Sequence, residues 1–279
     1  MNRRSFLKTT TAAVGGVVFT GQGCSSGSNS GRYINPIGLQ LYSIRSLMAE
    51  DFEGTIERVA EIGYKEVEFA RYFDRSPGEV RNLLERTGLT APATHVSLDS
   101  VRNNLNQVIE TAAEIGHQYV IVPSLPDEER GSVDSFKRIA EFFNRAGEQC
   151  QEAGIQLGYH NHAFEFNITD DQVPYDILLN NTDPELVAME LDLFWIKKGG
   201  YDPIEYFDRF PGRFHLCHVK DMDDSGNMVD VGEGDIDFSA IFAKSERAGL
   251  RHYIVEHDNP ESPIQNITTS FKNLSSLKI

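Results

Sequence analysis

The chain has 279 residues with 42 acidic and 26 basic side chains, so its formal net charge at pH 7 is −16. Such a charge repels the phosphate backbone of nucleic acids, and no basic stripe offsets the repulsion, so nucleic-acid binding is not expected. Apolar residues make up 40% of the chain, enough for one large core or two small ones. With three cysteines in total, the fold is not expected to depend on disulfide bonds.

The amino terminus has the pattern of an export signal. Arg3 and Arg4 belong to the motif RRSFLK, typical of the twin-arginine route, and a mildly apolar stretch follows that is too short to span a bilayer. Residues 1–24 are therefore predicted to be a twin-arginine signal peptide that directs the protein to the periplasm, and residues 25–34 a flexible linker. Removal of residues 1–24 would leave 23 basic and 42 acidic residues, a net charge of −19.

The end of this leader resembles a lipoprotein cleavage site. The sequence Gly21-Gln22-Gly23-Cys24 would place a lipid on Cys24. It departs from the usual pattern at Gly21, where leucine is common, and at Gln22, where a small residue is common. A lipid anchor on Cys24 and simple cleavage nearby both stay open, and this anchor is the only membrane contact that the sequence suggests.

From residue 35 onward, helical segments that end in glycine alternate with short apolar strands. Glycine fits the left-handed conformation just beyond a helix end, so that a strand can begin at once. The helix-ending glycines are Gly63, Gly88, Gly116, Gly154 and Gly249. The first three are 25 and 28 residues apart, which is the length of one strand plus one helix.

The complete pattern predicts eight strands separated by helices. The strands are expected at 37–42, 64–69, 89–95, 117–122, 155–160, 187–191, 214–219 and 250–256. Helices are expected, for example, at 132–153 and at 237–248 with Asp237 as N-cap. Eight such units in about 250 residues predict a single α/β domain over 35–279, a closed (β/α)8 TIM barrel. An open doubly wound sheet is the alternative, but no G-x-G-x-x-G loop follows the first strand.

Side chains that bind divalent metals follow the last four strands. These strand ends read YHNHAFE, MELD, LCHVKD and VEHD. Because the carboxyl ends of parallel strands meet on one face of a barrel, one metal could be bound by Glu165, Asp192, His218 and Glu256. Carboxylates mixed with imidazole suit manganese, zinc, cobalt or iron better than calcium, which prefers oxygen ligands alone.

Other polar side chains near the strand ends are candidates for substrate binding. They are Gln40, Tyr42, Glu68, His95, His162, Trp195 and Lys220. Trp195 offers an indole face for a sugar ring, although ordinary packing explains it as well. His162 could instead support a metal ligand through a hydrogen bond. His95 could be a buried histidine without contact to substrate.

Taken together, these motifs resemble the sugar phosphate isomerase/epimerase superfamily of xylose isomerase-like barrels, which also contains inosose dehydratase, ketose 3-epimerases and endonuclease IV. The matching segments are LQLYS, YHNHAFEF, ELDLFW, HVKD, GEGDIDF and VEH. The resemblance covers the chain beyond the leader. It implies an eight-fold barrel with one divalent metal, held by a carboxylate on the fifth strand together with Asp192, His218 and Glu256.

The fifth strand departs from the commonest form of this family. Many members read E-N-H where this chain reads His160-Asn161-His162. Either His160 takes over the ligand position, or Glu165 reaches the metal from just beyond the strand. Glu165 is the preferred interpretation, because three carboxylates and one imidazole are closer to the family's chemistry. His160 would then transfer protons or bind substrate.

The resemblance implies a metal-dependent sugar isomerase or epimerase. A metal that chelates two adjacent sugar oxygens acidifies the proton on the carbon between them. Glu256 and either Glu165 or His160 would remove and return that proton next to the carbonyl of a sugar or keto-sugar. This is the main prediction for the function.

Two other functions stay open. Export favours a neutral sugar or glycoside as substrate, because an acidic protein repels sugar phosphates. The resemblance, extended to exported members of such families, then implies one alternative, a metal-dependent lyase or hydratase that acts on 3-keto-glycosides. The other is an exported sugar-binding barrel without catalysis, which would not need a carboxylate beside a Lewis acid. Endonuclease activity is disfavoured by the negative charge. Homo-oligomer formation stays open, since no apolar run on the outer helices indicates an interface.

Overall fold

Eight parallel strands form a closed barrel in a computed structural model that describes residues 33–279. The barrel strands are β1 Gly38–Gln40, β2 Glu66–Phe69, β3 Thr90–His95, β4 Tyr119–Val122, β5 Gln156–His160, β6 Val187–Asp192, β7 Phe214–Val219 and β10 His252–Val255. Each strand pairs with the next barrel strand along the chain, and β10 pairs with β1 to close the barrel. The predicted single (β/α)8 barrel is confirmed. An additional antiparallel pair, β8 Asp221–Met222 and β9 Met228–Val229, was not predicted.

The described part of the chain also forms twelve α-helices. They are α1 Arg45–Glu50, α2 Phe52–Ile62, α3 Pro77–Thr87, α4 Leu98–Asn103, α5 Leu105–Ile115, α6 Val133–Glu152, α7 Pro174–Asn181, α8 Leu193–Lys198, α9 Pro203–Arg209, α10 Phe238–Phe242, α11 Ser245–Ala248 and α12 Pro263–Ser276. Short 3-10 helices lie at Leu41–Ile44, Asp127–Glu129 and Phe164–Phe166. The single helix expected at 237–248 is two helices, α10 and α11. Its predicted N-cap is confirmed, because Asp237 accepts a hydrogen bond from the backbone N–H of Ala240 at 2.9 Å.

The glycines that end the predicted helices have the expected conformation. Their φ angles are all positive, from 69° at Gly88 to 123° at Gly63. L-amino acids with a side chain rarely adopt these angles, so glycine ends the helix and lets the next strand begin within a few residues.

Side-chain alternation divides the barrel interior into an apolar and a charged layer. The apolar cluster at mid-strand consists of Ala93, Tyr119, Ile121, Ala188, Leu216 and Ile254. Two residues further along four of these strands stand His95, Glu190, His218 and Glu256. Because side chains two residues apart lie on the same face of a strand, these charged groups lie directly above the apolar cluster, at the carboxyl end of the barrel.

The predicted signal peptide, residues 1–24 with Cys24, and most of the predicted linker lie outside the described residues. Tyr33 and Ile34, which the sequence analysis placed in the linker, already contact the barrel domain. Tyr33 pairs with Lys278, and Ile34 is buried. Within residues 33–279, no helix is both long and apolar enough to cross a membrane.

A buried aspartate organises the loop that follows β7. Oδ2 of Asp221 accepts hydrogen bonds from the backbone N–H groups of Gly232 at 2.8 Å and Gly234 at 3.1 Å. Oδ1 accepts from Met222 at 2.8 Å and Ile236 at 3.2 Å. A side chain at Gly234 would collide with the Asp221 carboxylate. The glycines of this loop therefore serve a structural role around Asp221.

We expect Asp221→Asn to lower the free energy of unfolding by about 3 kcal/mol, because an amide nitrogen would replace one oxygen that accepts two buried hydrogen bonds. Urea denaturation would measure the change. Asp224→Asn, an exposed change in the same loop, is the matched control and should have almost no effect. Equal stability of the two variants would contradict the role given to Asp221.

Candidate active site

A cavity of about 520 Å³ lies at the carboxyl end of the barrel. We call it the site cavity. Its ionisable lining includes His95, His160, His162, Lys220, Glu256 and Asp258. A cavity at this end, lined by residues from several strands, is the usual place of a TIM-barrel active site.

Four side chains at this end form a group that could hold a metal ion. We call His160, Asp192, His218 and Glu256 the outer cluster; one ligand atom from each lies within 4.8 Å of the others. Nε2 of His160 is 3.1 Å from Oδ2 of Asp192, and Nδ1 of His218 is 2.7 Å from Oε2 of Glu256. All four side chains are buried.

The hydrogen bonds of His160 leave a lone pair that points at a carboxylate. Its Nδ1 lies 3.0 Å from the carbonyl oxygen of Pro123, which can only accept, so Nδ1 carries the hydrogen. Burial lowers the pKa of His160 well below its usual value, so that the ring is neutral. Nε2 and Oδ2 of Asp192 are then two acceptors in close contact. A cation between them would convert this repulsion into coordination.

The surroundings of His218, like those of His160, favour a positive charge in the outer cluster. Its Nε2 donates to Oε2 of Glu68 at 2.7 Å, which leaves the Nδ1 lone pair directed at the outer cluster. Nδ1 has no hydrogen bond of suitable geometry among the described residues. Burial lowers the pKa of His218, but the carboxylates of Glu190 and Glu256 outweigh burial and raise it well above its usual value. The site therefore favours either a proton on His218 or a metal cation beside it.

A buried lysine supplies the fixed positive charge of the site. Nζ of Lys220 lies 2.9 Å from Asp192, 2.6 Å from Glu256 and 2.7 Å from Asp258. One ammonium group does not balance the acidic side chains that surround it, which are Glu68, Glu190, Asp192, Glu256 and Asp258. The excess negative charge and the donor set of two imidazoles and two carboxylates fit a divalent metal such as manganese, iron, cobalt or zinc.

A second group lies deeper in the barrel and shares His218 with the outer cluster. This inner cluster consists of Glu68, His95, Glu190 and His218. Nε2 of His95 lies 2.8 Å from Oε2 of Glu190, and burial raises the pKa of Glu190 to about 7. Carboxylates behind histidine ligands typically fix the ring orientation and the tautomer. Glu68 holds His218 in this way, and Glu190 holds His95.

The residues predicted to bind substrate divide into two groups. Tyr42, His95, His162 and Lys220 line the site cavity. Gln40 and Glu68 do not, because both are fully buried and Nε2 of Gln40 donates to Glu68 at 2.8 Å. Trp195 packs against the ring of His162, with 5.4 Å between ring centroids, and does not line the cavity. Substrate contact by Gln40, Glu68 and Trp195 therefore stays a prediction, and in this structure all three contact other side chains of the site.

The structure does not bring Glu165 to the predicted ligands. Its Oε1 accepts a hydrogen bond from the Tyr159 hydroxyl at 2.5 Å, and its Oε2 accepts from the backbone N–H of His162 at 2.9 Å. Side chains alternate along β5, so Tyr159 faces away from the barrel interior into which His160 points. Because its carboxylate is hydrogen-bonded to Tyr159, Glu165 also lies on the outer side of β5. The preferred ligand assignment is therefore corrected, and His160, the alternative, lies in the outer cluster.

Sequence reasoning missed three residues of the site. Glu190 stands two residues before Asp192 on β6, so strand alternation alone could have placed both in the interior. Asp258 binds Lys220 from the loop after β10. Asn161 orients the backbone of Asp192, because its Oδ1 accepts a hydrogen bond from the Asp192 N–H at 3.0 Å. No periodicity identifies Asn161 or Asp258, because both lie just beyond a strand.

Comparison with known proteins agrees with this architecture. A family model described as "Xylose isomerase-like TIM barrel" matches residues 56–277. A solved structure of a sugar phosphate isomerase/epimerase from Parabacteroides distasonis ATCC 8503 is 27% identical and superposes with a TM-score of 0.74, covering 90% of this chain and 96% of that one.

Several curated relatives carry the name inosose dehydratase. The protein from Geobacillus kaustophilus (strain HTA426) is 28% identical over 229 residues, which cover 68% of this chain and 74% of the relative. The protein from Lacticaseibacillus casei is 24% identical over 261 residues, covering 80% of this chain and 87% of the relative. The similarity thus extends over most of the barrel domain.

The two interpretations of the fifth strand predict different metal contents. If His160 is a ligand, His160→Ala should lose most of the bound metal, because an imidazole of the outer cluster is missing. Glu165→Gln should keep its metal. Elemental mass spectrometry of the purified variants, after loading with manganese or zinc, would measure both. The opposite result would restore Glu165 as the ligand.

Glu165 should also make stability depend on pH. Burial raises its pKa to about 7 from an ordinary value of 4.5, so between these values the folded state keeps a proton that the unfolded state has lost. The free energy of unfolding should therefore fall by about 2 to 3 kcal/mol from pH 5 to pH 8 through this group. In Glu165→Gln, which resembles the protonated acid, that contribution should be absent. Denaturant titrations at both pH values would test this, with exposed Glu128→Gln as control.

Proposed function

The chain belongs to the xylose isomerase-like TIM barrel family, and from this premise we propose that it is a divalent-metal-dependent lyase. Its substrate would be a polyhydroxylated six-membered ring that carries a ketone, either a keto-cyclitol or a 3-keto-glycoside. The reaction would eliminate water or an alcohol from the carbon β to that ketone. The names of the curated relatives support this class of reaction, since a dehydratase removes water.

The main sequence prediction, a sugar isomerase or epimerase, is contradicted by those names. The lyase or hydratase alternative agrees with them better. Both classes of enzyme begin by removing a proton next to a carbonyl, so the residues that acidify this proton are common to both. The metal-ligand motif therefore could not separate them.

The observation that carries the proposal is that β5 offers the substrate no free proton-transfer group. Epimerisation needs two such groups, one on each face of the substrate, whereas elimination needs one base and a leaving group. Both nitrogens of His160 are engaged, by Pro123 and within the outer cluster. Glu165 is bound elsewhere. Glu256 is then the one carboxylate of the outer cluster that also lines the site cavity.

The outer cluster, Glu256 and His95 each have a different role in the proposed reaction. A divalent metal in the outer cluster would supply Lewis acidity, which makes the C–H bond next to the ketone easier to ionise. Glu256 accepts that proton; its Oε2 is held by Lys220 at 2.6 Å, which leaves Oε1 for substrate. His95 is held through Nε2 by Glu190, which leaves Nδ1 to accept a hydrogen bond from a substrate hydroxyl.

The electron balance requires no oxidant or reductant. The electrons of the broken C–H bond form a carbon–carbon double bond next to the ketone. The bond to the β-oxygen then breaks, and this oxygen leaves with its electron pair and takes up a proton. The products are an unsaturated ketone and either water or an alcohol.

Export by residues 1–24 remains a prediction, and so does a lipid on Cys24. An extracytoplasmic location supports an unphosphorylated substrate, because sugar phosphates are mostly cytoplasmic.

Mass spectrometry of the metal-loaded protein with an inosose and with methyl 3-keto-glucoside would test the proposed function. We expect time-dependent loss of water from the first substrate or of methanol from the second. Glu256→Gln should lower the rate by about a hundredfold or more, because it removes the base. Exposed Glu128→Gln is the matched control.

Parallel incubation in deuterated water separates the remaining outcomes. Exchange of a carbon-bound hydrogen without elimination would contradict the lyase proposal. Binding of the sugars with neither exchange nor product would favour a sugar-binding barrel without catalysis.

A further inference from the structure

A second cavity of about 300 Å³ adjoins the site cavity. We call it the side cavity. Tyr42, Ala70 and Arg71 line both cavities, so the two spaces meet at these residues. The remaining lining of the side cavity is formed by Leu41, Arg45, Ser46, Ala49 and Phe73. None of these five residues lines the site cavity, and none belongs to the outer or inner cluster.

An aromatic ring in a fixed position stands between the two cavities. The guanidinium of Arg45 lies 4.0 Å from the centre of the Tyr42 ring. Arg45 is itself held by the carbonyl oxygen of Asp258 at 2.8 Å and by Oδ1 of Asn259 at 2.7 Å. Tyr42 is nevertheless 38% exposed. A partly exposed ring held in this way offers a flat face for a planar ligand group.

The loop after β2 forms the opposite part of the side cavity and is strained. Phe73 and the next residue, Asp74, have φ angles of 49° and 60°, a region that residues with a side chain rarely adopt. Such strain is typically retained where it serves a site. The ring of Phe73 also packs against Phe52, with 6.2 Å between centroids. The loop therefore presents an aromatic side chain to the side cavity.

A cation without a partner lies where the two cavities meet. Arg71 is exposed, and over residues 33–279 its guanidinium makes no hydrogen bond or ion pair. Because Arg71 lines both cavities, its charge is available to a ligand that extends from one into the other. Its position suits an oxygen that gains negative charge at the boundary between the cavities.

We propose that the side cavity binds the leaving group and that this leaving group is an aromatic alcohol. The substrate class is then the 3-keto derivative of an aryl glycoside. This inference deepens the proposed lyase function and rests on it. Water, the leaving group of a dehydratase, would need no second cavity. An aromatic ring would fit between Tyr42, Phe73 and the aliphatic side chains of Leu41 and Ala49.

The geometry assigns each half of the substrate to one cavity. The keto-sugar ring occupies the site cavity, where Glu256 takes the proton from C2. The electron pair forms the C1–C2 double bond, and the bond from C1 to the glycosidic oxygen breaks. That oxygen leaves as a phenolate next to Arg71 and takes up a proton. The products are a cyclic unsaturated ketone and a phenol, with no change in total oxidation state.

Filling the side cavity tests the proposal. Ala49 is exposed on α1 and lines the side cavity but not the site cavity. The Ala49→Trp substitution should therefore block the side cavity. We expect the ratio of kcat/KM for p-nitrophenyl 3-keto-glucoside to that for methyl 3-keto-glucoside to fall by about tenfold or more, with both anomers tested. Ala113→Trp, an exposed alanine on α5 that lines neither cavity, is the matched control and should leave the ratio at the wild-type value. An unchanged ratio in Ala49→Trp would overturn the proposal.

Binding without chemistry separates this inference from the proposed function. Phenyl glucoside, which carries no ketone, should bind the wild-type protein, and calorimetry should show weaker binding in Ala49→Trp and in Arg71→Gln. If phenyl glucoside binds in this way but no 3-keto-glucoside is turned over, the result would support binding of the aromatic group in the side cavity and contradict the proposed lyase function. Turnover of methyl 3-keto-glucoside with equal phenyl glucoside affinity in all variants would support the lyase and overturn the subsite. Arg71→Gln keeps the test valid if Ala49→Trp does not fold, because Arg71 is exposed.

Discussion

The negative charge buried around His218 is the constraint on which the site depends. This ring contacts carboxylates on both sides, Glu68 at 2.7 Å from Nε2 and Glu256 at 2.7 Å from Nδ1. Unpaired charges in the interior of a protein are costly, so such an arrangement persists only with cations among them. Lys220 supplies one cation. The tautomer of His160 leaves one imidazole lone pair directed at the place where a second cation, a metal, would be held, and Nδ1 of His218 takes either a proton or that metal.

The barrel makes this concentration of charge possible because it separates the charged layer from the apolar one. On β6 the interior residues run Ala188, Glu190 and Asp192, and the change from apolar to charged takes place within one strand. The apolar residues at mid-strand join the strands into a rigid frame. The charged residues above them belong to the same strands, so the rigid frame holds them in fixed positions. Preorganisation of the ligands is therefore a consequence of the strand register.

The barrel, and the convergence of three of the four residues of the outer cluster, could be predicted from sequence for a physical reason. Strand periodicity and helix-ending glycines such as Gly88 are local signals, and alternation along a strand predicts which side chains face inward. Asp192, His218 and Glu256 could be predicted from it. Glu165 could not, because it follows the strand in a 3-10 turn whose direction depends on a tertiary contact with Tyr159. The same limit applies to Asp258, whose partner Lys220 is distant in sequence.

The replacement of glutamate by histidine on the fifth strand connects the fold to the type of reaction. A glutamate at that position can both bind a metal and transfer a proton through its second oxygen. His160 has no equivalent free atom, because Nδ1 donates to Pro123 and Nε2 faces the outer cluster. Under the proposed function, the change keeps a ligand for the metal and removes a proton-transfer group from one face of the substrate. A site with Glu256 as its carboxylate base and no free proton-transfer group on β5 is suited to a reaction in which a leaving group, rather than an acid on that strand, completes the step. The side cavity lies beside that site, where such a group would depart.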